Sequence, residues 1–287
     1  MKTLKNTLLV IGILLLTSQN STAQDNITAP KYSQSNKGKF FVSWGGNRDT
    51  YSKSDITFTG DNYNFTLRDV KAEDKPKGWH IDYINPTRLT IPQTNLKIGY
   101  FINDKYYVAV GVDHMKYVMT QNQFVNVDGY ISLNPNDPGA YHNGLYQNQP
   151  KQATWDFLMF EHTNGLNYVF AEFGRRDDIS HLFKITNTDV FQINITGGAG
   201  GGVLYPKTNT TLLLKPRYDE FHVSGYGISA TAGLNLTFFK HFFIQGDLKG
   251  GFINMSDIRT TNNSADRASQ HFWFGQSIIS FGSIFRI

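Results

Sequence analysis

Cysteine is absent from the 287 residues, which removes disulfides, thiolate metal ligands, cysteine nucleophiles and a cysteine lipid anchor. Charge is scarce too: Asp, Glu, Lys and Arg make up only 17% of the chain, too little for a charge-laced helical protein or a disordered one. Leaving out Lys2 and Lys5, 25 basic residues face 23 acidic ones, and no Lys/Arg-rich run occurs. That balance excludes a nucleic-acid binder. Long apolar runs are missing as well, apart from Leu8 to Leu16. What is abundant is Phe (22), Tyr (15) and Gly (26), in a chain long enough for a substantial core or barrel.

The single apolar run follows Lys2 and Lys5 and precedes the small residues Ser21-Thr22-Ala23. That order of basic, apolar and small residues is a secretory signal peptide, and the run is shorter than the about 20 apolar residues a membrane helix needs. Residues 1–23 are therefore expected to be removed, with 24–38 an N-terminal periplasmic segment and 39–287 the folded domain.

The remainder alternates with period two. Between Val223 and Phe238, Tyr226, Ile228, Ala230, Leu234 and Leu236 share one face, and Gly227, Ser229, Thr231, Gly233 and Asn235 share the other. An alternating stretch of that length exceeds the usual soluble strand of about 5–6 residues, and an apolar face backed by small polar residues suits a strand between lipid and a tight lumen. The pattern recurs over Val190 to Leu204, Phe242 to Asn254 and His271 to Ile287, and less cleanly over Lys39 to Asn47, Leu96 to Ile102, Tyr106 to Met119 and Leu166 to Arg175. Short links (Asn103 to Lys105, within Asp177 to Thr188, Phe239 to Lys240) alternate with long polar ones (Tyr51 to Pro92, Gln121 to Thr154, Pro206 to Phe221, Asp257 to Gln270). The expectation is an all-β fold, an antiparallel transmembrane β-barrel of eight strands, with ten if Trp155 to His162 forms a hairpin with Leu166 to Phe173. A soluble β-sandwich is the alternative, but its outward faces would carry charge rather than Phe, Ile and Leu.

The final strand FGSIFRI (Phe281 to Ile287), with the signal peptide and the Gly- and aromatic-rich strands, resembles the small outer-membrane β-barrels of Gram-negative bacteria. The phrases from Ile91 to Tyr117, Phe160 to Val169 and Gly225 to Asn254 are similar to uncharacterised outer-membrane barrels of the Bacteroidota. The resemblance implies a barrel in the cell outer membrane, in contact with its lipid and lipopolysaccharide, and brings no established activity with it.

Side chains expected inside the barrel include Lys97, Asp113, Asp247, Lys249 and Arg286. Enclosed opposite charges pair, so an interior network is expected, with a narrow ion pore as the alternative. At the external rim, Asp113-His114, Glu161-His162 and Asp219-Glu220 followed by His222 bring imidazoles close to carboxylates along the chain. Such sets serve as a divalent metal site or as a general base with its orienting partner; no other cofactor is implied. Glu161-His162-Thr163-Asn164-Gly165 is similar to the His-x-Ser-Asn phrase of the phospholipase A and lipid A deacylase barrels, with Asn164 where the serine should stand. A hydrolase using His162 is thus an alternative to the main expectation, a structural or binding barrel whose external loops engage a partner protein, glycan or lipid headgroup. Asp55 to Val70 reads as a hairpin around Gly60-Asp61-Asn62, Asn134 to Gly144 as a turn-rich surface loop, and Trp79, Tyr83, Tyr130, Tyr141 and Tyr146 as loop aromatics available to a partner. Gly197 to Gly202 lacks the Lys-Ser/Thr and the helix of a phosphate loop, so no nucleotide is implied.

Overall fold

A computed structural model describes residues 35–78, 80 and 92–287. Residues 1–34, Trp79 and 81–91, and with them the signal peptide, most of the 24–38 segment and Tyr83, lie outside the described residues. The chain is all-β: fifteen strands in one antiparallel sheet, with two short 3-10 turns, Ala140–His142 and Ser180–Phe183, as the only helical elements among the described residues.

Eight strands form a ladder that closes on itself. They are β1 (Phe40–Tyr51), β5 (Thr94–Phe101), β6 (Tyr106–Met119), β9 (Leu158–Asp178), β10 (Phe191–Leu204), β13 (Gly225–Phe238), β14 (Phe242–Arg259) and β15 (Arg267–Phe285). Each pairs with the next, and β15 pairs back onto β1 from Phe40↔Phe285 to Tyr51↔Phe274, so no edge is left open. At one end the links are short: 102–105, 179–190 and 239–241. In the last, a three-residue link, Phe239 and Lys240 both have positive φ (51° and 66°), the left-handed backbone that lets so short a loop reverse the chain between paired strands. Residues 158–178 are one strand, so the hairpin that would have made ten strands does not form. Gly165, at φ +133°, instead lets β9 carry extra residues against β6, where the register shifts between Met115 and Tyr117.

Around the middle of the ring the outward side chains are Ile98, Val108, Val110, Val169, Phe173, Ile195, Ile228, Leu234, Ile244, Leu248, Ile279 and Phe281, all exposed. The inward positions of β10 are glycines where the wall is tightest. A Cβ on Gly200 or Gly202 would overlap the carbonyl oxygens of Ala171 and Val169, which is the close backbone approach that makes a small ring out of a Gly-rich strand.

At the opposite end the strands run on into an extension. β2 (Ser54–Gly60) and β3 (Tyr63–Val70) form the expected hairpin. β2 continues the sheet from the upper end of β15, and β3 passes it to β7 (Phe124–Ile131) and β8 (Gly144–Gln152). Facing them, β9 carries β11 (Lys207–Leu212) and β12 (Tyr218–Phe221), while the two-residue β4 (Ala72–Glu73) joins β6. The connections 121–154 and 206–221, expected as irregular loops, are thus largely hairpins. That between β14 and β15 shrinks to 260–266. Between the two sheets lies an apolar core that includes Ile56, Phe58, Phe65, Tyr117, Phe157, Phe160, Met255 and Phe272.

Candidate functional site

Period-two alternation puts the even residues of β9 and the odd residues of β14 inside the ring, and there they meet. Lys249 of β14 pairs with Asp113 of β6 and stands 3.5 Å from the centre of the Phe170 ring. Lys97 of β5 pairs with Glu172 of β9 at 2.9 Å, and Tyr107 donates to the same carboxylate at 3.1 Å. Asn95 donates to Asp113 at 2.6 Å; Gln276 and Gln93 each donate to Asp49 at 2.9 Å. Asp247 accepts from Gln245, which in turn accepts from Asn235. Asp49, Asp113, Glu172, Asp247 and Lys249 are buried and Lys97 nearly so, and ion pairing at Lys97–Glu172 and Lys249–Asp113, with added hydrogen bonds throughout, is what lets them remain so. Arg286 is not among them: it lies past the end of β15, exposed, and donates to the carbonyl of Lys37.

The network fills the interior. The cavities among these side chains are about 20 Å³ each, one lined by Lys97, Asp113, Asp247 and Lys249, the other by Arg176, Asn235 and Gln245; each has room for about one water. Below the network, Phe41, Phe101, Tyr107, Ala109, Phe243 and Ile284 close the short-turn end. Above it, the apolar core of the extension closes the other. Glu172, the partner of Lys97, was not singled out from sequence; its signal was a lone carboxylate on the inward parity of β9.

The rim histidines do not converge. Asp113 belongs to the interior network, and the adjacent His114 points the other way, its Nδ1 2.7 Å from Asn167 Oδ1. His162 is fully buried in the core of the extension, its Nδ1 2.9 Å from Thr208 Oγ1 and its ring against Tyr117 and Phe160. Glu161, one residue before it, faces away and accepts from Asn209 at 2.7 Å and Thr163 at 2.9 Å. Asp219 meets Asn164 and Lys207, and Glu220 meets the Tyr218 hydroxyl. His222 pairs through Nε2 with Asp257 at 2.8 Å, and Arg267 holds the same carboxylate; these two partners sit across the β14–β15 hairpin, too far along the chain for spacing to reveal. Among the described residues no three His, Asp or Glu side chains come together as a metal site would require. His162 and the Thr208 hydroxyl beside it are both buried, so neither stands open to a substrate as the base and nucleophile of acyl transfer must.

The surface of the extension is different. On the outward face of β7 and β8, Phe124 (73% exposed), Tyr130 (44%) and Leu145 (66%) stand free of the core, with Tyr130 and Leu145 directly paired across the two strands. Beside them Arg68 of β3 bridges Asp55 of β2 at 2.8 Å and Asp128 of β7 at 2.9 Å. In the loop before β8, burial pushes the His142 imidazole below its ordinary value, while the Tyr141 hydroxyl holds the Asp156 carboxyl down to about 2. Tyr141 is exposed; Tyr146 instead packs on the core and donates to the carbonyl of His142 at 2.6 Å.

No family model and no curated protein sequence matches the chain. Among solved structures it is similar to Ail, the attachment invasion locus protein of Yersinia pestis, crystallised with the heparin analogue sucrose octasulfate, at 11% identity and TM-score 0.32 over 87% of this chain and 99% of that one. It is also similar to the outer membrane protein OprG of Pseudomonas aeruginosa, at 11% identity and TM-score 0.35 over 88% and 97%. A third is the N-terminal β-barrel domain of OprF from the same organism, at 9% identity and TM-score 0.32 over 88% and 100%.

Proposed function

We propose that this chain is an eight-stranded β-barrel of the cell outer membrane whose work is binding, carried out by its extension outside the cell. A closed ring with Ile, Val, Leu and Phe outward and ion pairs inward is what a bilayer demands of strands. The short turns then face the periplasm and the extension faces outward. The observation that carries the binding role is the exposed Phe124, Tyr130 and Leu145 face on β7 and β8. Tyr130 and Leu145, paired across β7 and β8, with Phe124 further along the same face and the Asp55–Arg68–Asp128 triad beside them, form the kind of surface that docks a protein partner. The filled interior supports this reading over a pore, and the buried His162 supports it over a lipid hydrolase.

The test is a photo-crosslinking amino acid placed in living cells at Tyr130 or Leu145, with Thr66 on the neighbouring strand β3 as the control. A discrete adduct at 130 and 145 is the expected result, both lost with Phe124→Ala and that at 130 lost also with Leu145→Ala. No adduct at either position, with the protein folded at the surface, would remove the binding face from consideration.

A further inference from the structure

On the outer wall of the ring, β5, β6 and β9 form an open, shallow apolar trough of about 480 Å³ lined by Ile98, Tyr100, Val108, Val110, Ala171 and Phe173 among others. Its origin lies in the register: Ala171 faces Val110 on one neighbour and Gly201 on the other, so the wall is indented between the larger side chains around it. The volume falls in the range of small-molecule sites, roughly 300–1,000 Å³. The trough lies toward the short-turn end, where Tyr106 stacks on Phe173 with ring centres 5.6 Å apart and Arg175 lies over the Tyr106 ring.

The chemistry changes at that end. Arg175, two residues beyond Phe173 on the same outward parity, shares Asp177 with Lys105. Over residues 35–39, 102–105, 175–190, 239–241 and 286–287, leaving out the buried, inward Arg176, seven lysines and arginines stand against four aspartates. In a chain with so little charge this end is a cationic collar, set directly below a groove of hydrocarbon.

We propose that the trough and collar form a site for one anionic phospholipid of the inner leaflet, with an acyl chain in the trough over Ala171 and the phosphate at Arg175 and Lys105. The inference rests on the outer-membrane reading above. An apolar groove alone would take any lipid chain; the collar makes the headgroup charge matter, because each Lys or Arg near a membrane surface favours anionic lipid by about fivefold.

The experiment uses the full-length mature protein, refolded and inserted into vesicles of phosphatidylethanolamine and phosphatidylglycerol in equal amounts, then extracted gently and weighed by native mass spectrometry with its retained lipid. The wild type is expected to keep phosphatidylglycerol over phosphatidylethanolamine by about fivefold or more. Lys105→Gln with Arg175→Gln should bring the two lipids close to parity. Ala171→Phe, which fills the trough from the lipid side and touches nothing inside the ring, should reduce retention of both lipids and leave their ratio unchanged. Equal retention of the two lipids by the wild type, or retention untouched by Ala171→Phe, overturns the site. Failure of the wild type to insert into the vesicles would overturn the membrane reading itself, and the site with it.

Discussion

Strand β9 runs through two environments with one parity, and its two halves use opposite codes. In the lower half the even, inward residues include Glu172 and Arg176, while the odd, outward residues are Val169, Ala171 and Phe173. In the upper half the inward residues are Leu158, Phe160 and the buried His162, and the outward ones are Met159, Glu161 and Thr163. The same inversion separates the interior of the ring, built from Lys97–Glu172 and Asp113–Lys249, from the apolar core of the extension. What differs is the solvent outside. Against lipid the strand must show hydrocarbon and enclose its polar groups; against water it does the reverse. On the outer-membrane reading proposed above, the level at which the code switches marks where the bilayer ends.

The comparison breaks most severely where either interior is hollowed. Phe160→Ala removes a fully buried ring and should cost about 3–5 kcal/mol by urea unfolding in detergent. Proteolysis of the mutant should attack the extension first and spare the ring. In the polar interior, Lys249→Ala leaves Asp113 buried without its partner and is expected to cost a similar or slightly smaller amount, about 3–5 kcal/mol. Replacing both members with apolar residues, Lys249→Met with Asp113→Leu, should recover most of the loss, since enclosed ion pairs add little net stability over hydrophobic isosteres.

The outward faces sharpen the contrast. Val110→Lys, at 61% exposure the most open position of the apolar belt on β6, should destabilise by about 2–4 kcal/mol in a bilayer. Asn64→Lys on the outward face of β3, equally a charge-for-neutral change, should stay within about 0.5 kcal/mol. Equal costs at the two sites would mean that both faces meet the same solvent. The smallest effect concerns the loop before β8. Burial keeps His142 neutral when folded, so an open loop binds protons more readily and closure weakens as pH falls below 6.5. Asp156, depressed to about 2, acts in the same direction: its contribution is complete above the ordinary carboxylate range and lost only as pH falls toward 2. Amide exchange over residues 134–156, corrected for its intrinsic pH dependence, should therefore quicken on acidification, and His142→Gln should flatten the response.

Where alternation was strong, the sequence was enough to locate structure. The last four ring strands were legible because an apolar face and a small polar face give a clean period of two; the first four alternate less cleanly, and β9 was read only from Leu166 onward. The strands of the extension were not. β8 is exposed along nearly its whole length and carries no apolar period; the alternation of β7 is interrupted by the shift between Val127 and Gly129; β11, KTNTTL, reads as polar loop. The candidate site was legible only in part. Inward parity placed Lys97, Asp247 and Lys249 inside the ring, but neighbours in sequence on a strand point to opposite sides, so Asp113-His114 and Glu161-His162 could never act as pairs.

The sequence by itself determined the period, the alternation of short and long connections and the sign of each face, because these depend only on neighbours along one strand. Which strands meet, that residues 158–178 stay one strand past Gly165, that Glu172 answers Lys97, and that the upper segments fold into a cored extension which exposes Phe124, Tyr130 and Leu145, were decided by the tertiary structure. Those outcomes depend on register and ring closure, which bring together side chains dozens of residues apart.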